Sequence, residues 1–302
     1  MIYTVTFNPA VDYVMHIDEL RAGATNRSAG EEIYFGGKGI NVSAVLNELG
    51  IKSRALGFTA GFTGAAIEQG LRDMGIDSDF IRLEKGCSRI NVKLKSGDET
   101  EINGQGPDID SASVDRLFEK LDKLTAGDTV VLAGSVPKTL PADIYERILG
   151  MLDGRGVRAA VDASGKLLLN VLKYRPFLIK PNRDELAELF GADISGIDDV
   201  ERYAEKLKEM GAVNVLVSMA GDGALLVDAD GVTHRCGVFR GTVRNSVGAG
   251  DSMVAGFLAG CESGDYEYAL KLGTAAGGAA AFSDGLPERA LIDELMKQSG
   301  NL

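Results

Sequence analysis

From residue 128 onward, short apolar runs alternate with longer amphipathic ones, and this alternation constrains the fold more than any other feature of the chain. The apolar runs are "TVVLAG" (129–134), "VRAAVD" (157–162), "FLIK" (177–180) and "NVLVS" (214–218). Helical stretches near 141–153, 164–172, 182–190 and 198–210 lie between them. Strands that are apolar throughout are buried on both faces, which implies a parallel sheet with right-handed helical crossovers. Two further strands near 223–228 and 231–237, and helices from about 249, 265 and 287, complete this half. A length of 302 residues suits one large α/β domain with an elaboration.

The elaboration is legible in the first half. "IYTVTF" (2–7) reads as a core strand that ends at the turn Asn8-Pro9. Val11, Tyr13, Met15 and Ile17 then alternate with more polar residues, the pattern of a half-exposed strand. Val42, Val45, Leu46 and Leu49 have helical spacing and close on Gly50; a strand "SRALGF" and a helix over 62–74 follow. Ile90, Val92 and Leu94 alternate with Arg89, Asn91, Lys93 and Lys95 before a turn at Ser96-Gly97-Asp98. Segments 11–35 and 87–106 therefore leave the core and return, as a lid does. The expected architecture is an α/β core with a mostly parallel sheet and a small antiparallel β-sheet lid, all in one domain over 1–302.

Charge and composition narrow the function. With 32 basic against 44 acidic residues the net charge is −12, which repels nucleic acid and anionic membrane. No Trp and 6% aromatic residues leave few platforms for stacking bases. Cys87, Cys236 and Cys261 are scattered, and His16 and His234 are far apart, so neither a zinc site nor a Ser-His-Asp triad has material to build on. The first residues lack a basic-then-apolar leader pattern, and no run approaches the ~18 apolar residues of a membrane span. The expectation is a cytoplasmic protein that acts on a small molecule, with no nucleic-acid or membrane partner.

Four glycine-dense or polar turns carry the chemistry. In "SVGAGDSMVAG" (246–256), Gly248, Ala249 and Gly250 turn into a helix whose first amides can surround an anion. Asp251 follows in the first turn, where the ordinary role of a carboxylate is capping. "FGGKGINV" (35–42) is a second such turn, with Lys38 inside it. In "IKPNRDEL" (179–186), Asn182 and Glu185 fit a capping box, or an acidic corner for hydrated Mg²⁺. "VSMAGDGALLV" (217–227) fits a hairpin loop or a nucleotide-contacting turn at a sheet edge. No Gly-x4-Gly-Lys-Ser/Thr and no Gly-x-Gly-x-x-Gly is present, which disfavours P-loop and Rossmann dinucleotide sites.

The order of these motifs resembles the ribokinase/PfkB family of sugar kinases. "GGKGINV" matches its first signature and "NSVGAGDSMVAGF" its second, and the resemblance runs from residue 1 to about 297. "TFNPAVDY", "INGQGP" and "AGSVP" resemble the branch acting on ketohexose phosphates. The resemblance implies a ribokinase-like three-layer α/β/α core and an ATP- and Mg²⁺-dependent kinase. The expected acceptor is D-fructose 1-phosphate, with tagatose 6-phosphate or fructose 6-phosphate as alternatives.

Residue by residue, it implies that Asp251 is the catalytic base and that Gly248, Ala249 and Gly250 form the anion hole. The helix dipole is expected to keep Asp251 ionised and weakly basic. Asp12, Gly37, Lys38, Asn41 and Asn103 would bind the sugar, with Arg27, Arg89 and Lys138 as candidates for its phosphate. Lys180, Asn182, Ser218, Gly221, Gly223, Gly248 and Gly250 would contact ATP, with Mg²⁺ held by Asn182 and Glu185 through water. Asn245-Ser246 stands where many relatives have an Asp-Thr pair that helps bind a monovalent cation, which puts K⁺ dependence in question. The apolar lid face implies a homodimer through the lids. Two other classes remain: a non-catalytic sugar-phosphate sensor on a kinase fold, and a dehydrogenase.

Overall fold

A computed structural model describes residues 1–298; the last four residues of the expected 1–302 domain lie outside the described residues. The buried run β1 (Ile2–Thr6) is followed by β2 (Ala10–His16) and β3 (Gly30–Gly36), an antiparallel pair joined by an exposed loop. The chain re-enters the core at α1 (Lys38–Glu48), β4 (Ser53–Ala60) and α2 (Gly61–Asp73), then adds the short β5 (Asp77–Ser78) and β6 (Ile81–Leu83). A second excursion forms β7 (Arg89–Ser96) and β8 (Asp98–Asn103), and α3 (Ser111–Leu121) brings the chain back.

The alternation that follows is the one the apolar runs require. It comprises β9 (Thr129–Ala133), α4 (Ile144–Leu152), β10 (Arg158–Asp162), α5 (Gly165–Val171), β11 (Leu178–Ile179), α6 (Arg183–Phe190), α7 (Ile197–Glu209) and β12 (Asn214–Ser218). The hairpin β13 (Ala224–Val227) and β14 (Thr233–Cys236) and the helices α8 (Ala249–Gly260), α9 (Tyr266–Ala281) and α10 (Arg289–Gln298) complete the fold.

The main sheet runs β14-β13-β12-β11-β10-β9-β1-β4-β5, with β6 beside β4. It is parallel except at the edge, where β12, β13 and β14 pair antiparallel. One face packs Leu117, Tyr145, Ile148, Leu186, Val200 and Leu207 from α3, α4, α6 and α7. The other packs Val42, Leu46, Val254, Phe257, Leu270 and Ile292 from α1, α8, α9 and α10. These are the three layers of the expected core. In the second layer α8 and α9 touch backbone to backbone: a Cβ on Gly256 would lie 2.6 Å from the Leu272 carbonyl oxygen. The chain leaves β1 for β4 on one side and reaches β9 on the other, so a crevice opens at the carboxyl ends of β1, β9 and β10. Open α/β sheets bind ligands at such switch points.

The lid is a separate four-stranded sheet, β3-β2-β7-β8. It consists of two antiparallel hairpins laid side by side through one parallel pairing, β2 with β7. Period-two alternation sorts its faces. Tyr34, Asp12, Asn91 and Asn103 form one row across the sheet, and Ile33, Tyr13, Val92 and Ile102 form a row on the opposite face. That second face is only partly covered: Ile33 is 55% and Ile102 59% exposed.

Three elements go beyond the sequence reading. The helix α3 starts at Asp110, whose side chain accepts from the Ser113 amide, and buries Val114, Leu117 and Leu121. The strands β5 and β6 are two and three residues long, too short for any periodicity to register.

Candidate active site

The glycines before α8 form a tight turn into the helix. Gly248 is the N-cap of α8 at φ 80°, a left-handed conformation that favours glycine. No side chain caps the helix; the Ala249 amide donates to the Ser246 carbonyl oxygen at 3.3 Å, and the positive end of the dipole otherwise faces no capping side chain. Gly250 has a different neighbour: a Cβ there would lie 3.2 Å from Lys180 Nζ. The missing side chain thus admits a cation of the protein itself.

Asp251 is 4% exposed, and Asn41 Nδ2 donates to its Oδ2 at 2.8 Å. Burial pushes its carboxyl up to about 7, with the Asp162 charge adding to the effect and Asn41, Lys38 and Lys180 opposing it. The expectation that the helix dipole keeps Asp251 a weak base is therefore corrected. Desolvation outweighs the dipole here, and it yields a base poised near neutrality.

The second glycine turn positions Lys38 and Asn41. Gly37 is the N-cap of α1 at φ 122°, and a Cβ on it would lie 2.5 Å from Thr6 Cγ2. A Cβ on Gly39 would lie 2.6 Å from Thr6 Oγ1. These glycines let α1 sit directly on the end of β1, where the Ile40 amide donates to Thr6 Oγ1 at 3.0 Å. Lys38 Nζ then reaches Asp162 Oδ2 at 2.9 Å, and Lys180 Nζ lies 3.3 Å from Asp162 Oδ1. Burial pushes the Asp162 carboxyl up, but Lys180 and Lys38 outweigh it and hold the group below the usual carboxylate range. Sequence reading passed over Asp162, because a carboxylate at the end of "VRAAVD" looks like any strand terminator.

The polar lid face brings Asp12, Asn91 and Asn103 into one row, with Arg89 nearby at the lid's root. Asn91 Nδ2 donates to Asp12 Oδ1 at 2.7 Å, and its Oδ1 is buried without a partner. Arg89 is also part-buried with Nε unpartnered; burial pushes its guanidinium down and Asp12 opposes this. A guanidinium cannot shed its proton under ordinary conditions, so the position calls for an anion. Of the four polar lid residues, Asn91 is the one the sequence reading did not single out as a binder.

Two further candidates lie in exposed loops. Arg27 sits in the exposed loop at the far end of β2 and β3, four strand residues beyond Asp12, roughly 13 Å along the strand. Lys138 is exposed in the loop after β9. Among the described residues no hydrogen bond or ion pair joins either of them to Asp12, Arg89, Asn91 or Asn103.

On the other side of the crevice, Asn182 and Glu185 close a capping box: Asn182 Oδ1 accepts from the Glu185 amide at 2.8 Å, and Glu185 Oε2 from the Asn182 amide at 2.9 Å. The box uses one Glu185 oxygen, and the other is free to hold a water. No cluster of three His, Cys, Asp or Glu suited to a metal occurs among the described residues. The donor set fits Mg²⁺ that arrives with a nucleotide and keeps its waters. Ser218 bridges to Asn182 at the end of β12, and the turn behind it holds Ala220 at φ 47°. Gly221 has open space, whereas Gly223 is required by its fold: a Cβ there would lie 2.1 Å from the Cys236 carbonyl oxygen. Asn245 uses its Oδ1 on the Val247 amide at 2.9 Å, which orients the turn into α8.

Comparison with known proteins agrees with this geometry. A family model described as pfkB family carbohydrate kinase matches residues 5–289. The chain is 47% identical over 299 residues to the 1-phosphofructokinase of Bacillus subtilis (strain 168), covering 99% of this chain and 98% of that protein. It is 37% identical over 300 residues to a D-tagatose-1-phosphate kinase of Bacillus licheniformis, covering 99% and 98%. Phosphofructokinase-2 from Escherichia coli, solved with fructose-6-phosphate, superposes with a TM-score of 0.91 at 26% identity over 99% of each chain. Matched by the family model over residues 5–289 and 47% identical to a 1-phosphofructokinase over nearly its whole length, the chain belongs to the pfkB family of carbohydrate kinases and is a phosphotransferase.

Proposed function

We propose that the protein transfers the γ-phosphoryl group of Mg·ATP to D-fructose 1-phosphate, giving D-fructose 1,6-bisphosphate, as one kinase domain with a lid formed by about 11–35 and 87–106. The observation that carries this reading is Asp251: a carboxylate 4% exposed, held by Asn41 and raised to about 7, behind an uncapped helix N-terminus. A bare cap would not need burial that raises its own pKa, and a sugar-phosphate sensor would gain nothing from it.

The sugar's 6-hydroxyl lies near Asp251. As the bond from that oxygen to the γ-phosphorus forms, the bond to the β,γ-bridging oxygen breaks and the hydroxyl proton passes to Asp251. The amides of Gly248, Ala249 and Gly250 stabilise charge on the phosphoryl group in flight, with Lys38 and Lys180 on either side. Asn182 and Glu185 would hold Mg²⁺ through water, where the ion would supply neutralisation of phosphate charge. Asp12, Asn41, Asn91 and Asn103 orient the sugar hydroxyls, and Arg89 receives the sugar's own phosphate. Ser218 and Gly221 line the nucleotide side. The lid excludes water, which would otherwise compete as acceptor.

The lid's apolar face, with Ile33, Ile90 and Ile102 each at least 40% exposed, supports a homodimer in which two lids cover each other. In that arrangement Arg27 serves the partner's site rather than its own. The tetrameric inhibited form of Escherichia coli phosphofructokinase-2 shows that a relative with this fold self-associates.

A second reading has specific support. Two relatives at 37% and 32% identity are D-tagatose-1-phosphate kinases, whose sugar is the C4 epimer of fructose 1-phosphate. The deciding assay is kcat/KM measured side by side on fructose 1-phosphate, tagatose 1-phosphate, tagatose 6-phosphate and fructose 6-phosphate. The proposal expects fructose 1-phosphate to lead by tenfold or more. Equal or better use of any of the others reassigns the substrate.

A further inference from the structure

The crevice contains a buried carboxylate to which the proposed chemistry gives no direct part. Asp162 is 2% exposed at the carboxyl end of β10, and each of its oxygens meets one lysine, Lys38 at 2.9 Å and Lys180 at 3.3 Å. The lysines arrive from different elements. Lys38 opens α1, one turn before the Asn41 that holds Asp251, and Lys180 follows β11 and lies against Gly250. Lys38 remains 45% exposed at its side chain, while Lys180 is 6% exposed.

We propose that Asp162 is a positioning residue: one carboxylate that holds Lys38 on the acceptor side and Lys180 on the donor side of the phosphoryl path, and keeps both cations from pairing with Asp251. The inference rests on the kinase reading with Asp251 as base. A lysine ammonium is a point charge on a flexible stem, so a fixed partner is needed to hold it in register. A strand end buried on both faces provides that fixity better than a loop. Without Asp162, the buried Lys180 ammonium and the half-exposed Lys38 ammonium would face one remaining carboxylate, and an ion-paired Asp251 would lose the basicity the reaction requires.

The test compares the pH dependence of kcat/KM in the full-length enzyme with Mg·ATP and fructose 1-phosphate. Asp162→Asn is expected to lower kcat by about 10- to 100-fold and to move the acidic limb down by about one pH unit. Lys180→Met is expected to move that limb up, because it removes a cation that favours the ionised base. Asp162→Glu keeps the charge and displaces it, so kcat falls while the limb stays in place. A purely structural role predicts none of these opposed shifts, and the lysine and glutamate variants keep the test open should Asp162→Asn fail to fold. An unchanged limb in Asp162→Asn overturns the proposal. So does an increased Mg²⁺ requirement with an unchanged limb, which would assign the carboxylate to the metal. Asp251→Asn separates the two levels. If it retains turnover, the kinase reading itself fails; if it is inactive while Asp162→Asn keeps the wild-type limb, only the role of Asp162 falls.

Discussion

At the scale of single residues, the proposed reaction turns on where Asp251 titrates. Its carboxyl is raised from an ordinary 3.8 to about 7 because burial disfavours the charged form, so the ionised base accumulates only as pH rises through that value. The free enzyme's kcat/KM is therefore expected to climb with pH and to level off above an apparent pKa near 7; a profile flat from pH 5 to 9 contradicts this. The same shift carries a stability consequence. Below 3.8 both folded and unfolded chains hold the proton; between 3.8 and about 7 only the folded chain does, so stability falls as pH rises; above that the penalty is complete. Asp251→Asn removes the penalty and keeps an oxygen to accept from Asn41. Its stability advantage is expected to grow by roughly 2 kcal/mol from about pH 5.5 to about pH 8.5, measured by denaturant unfolding. An advantage independent of pH would mean that Asp251 is not strained by burial.

At the scale of elements, the start of α8 combines two demands that are separable by mutation. Gly248 is fixed by its backbone, whereas Gly250 is helical and is kept free of a side chain by Lys180. Gly250→Ala is expected to leave the melting temperature unchanged or slightly raised, since alanine favours a helix by up to ~1 kcal/mol. Turnover should fall at least tenfold as the new methyl displaces Lys180, and unimpaired turnover contradicts the placement of that lysine. Much of this element was legible in advance: glycines at fixed spacing before an apolar helix have few uses, so "SVGAGDSMVAG" announced its turn. "FGGKGINV" was legible as a turn but not in its physics, because its glycines make room for Thr6 and not only for a ligand. Asp162 and Asn91 were not legible as site residues. Their roles come from long-range neighbours, and no local pattern distinguishes a strand-end aspartate that holds two lysines from one that meets water.

At the scale of the whole molecule, the proposed dimer would link assembly to the site through the lid sheet. The alternation of β7 showed one polar and one apolar face, but the parallel pairing of β2 with β7 was hidden, because nothing local sets the register between segments so far apart. That pairing aligns Ile33, Tyr13, Val92 and Ile102 in one row, an apolar surface that the described residues cover only in part. Wild-type protein is expected to sediment as a dimer, and a double Ile33→Asp, Ile102→Asp variant as a monomer with at least tenfold lower kcat/KM. A monomeric wild type, or a double variant that remains dimeric, rules out association through this face. Since each chain carries −12, added salt should strengthen the dimer by screening repulsion.

The most direct test of the central claim is the turnover of purified Asp251→Asn with Mg·ATP and D-fructose 1-phosphate, beside wild type. Loss of a general base predicts that kcat falls by about 10²–10⁴-fold, with both KM values within a few-fold of wild type. A kcat within tenfold of wild type would contradict the assignment of Asp251 as the base.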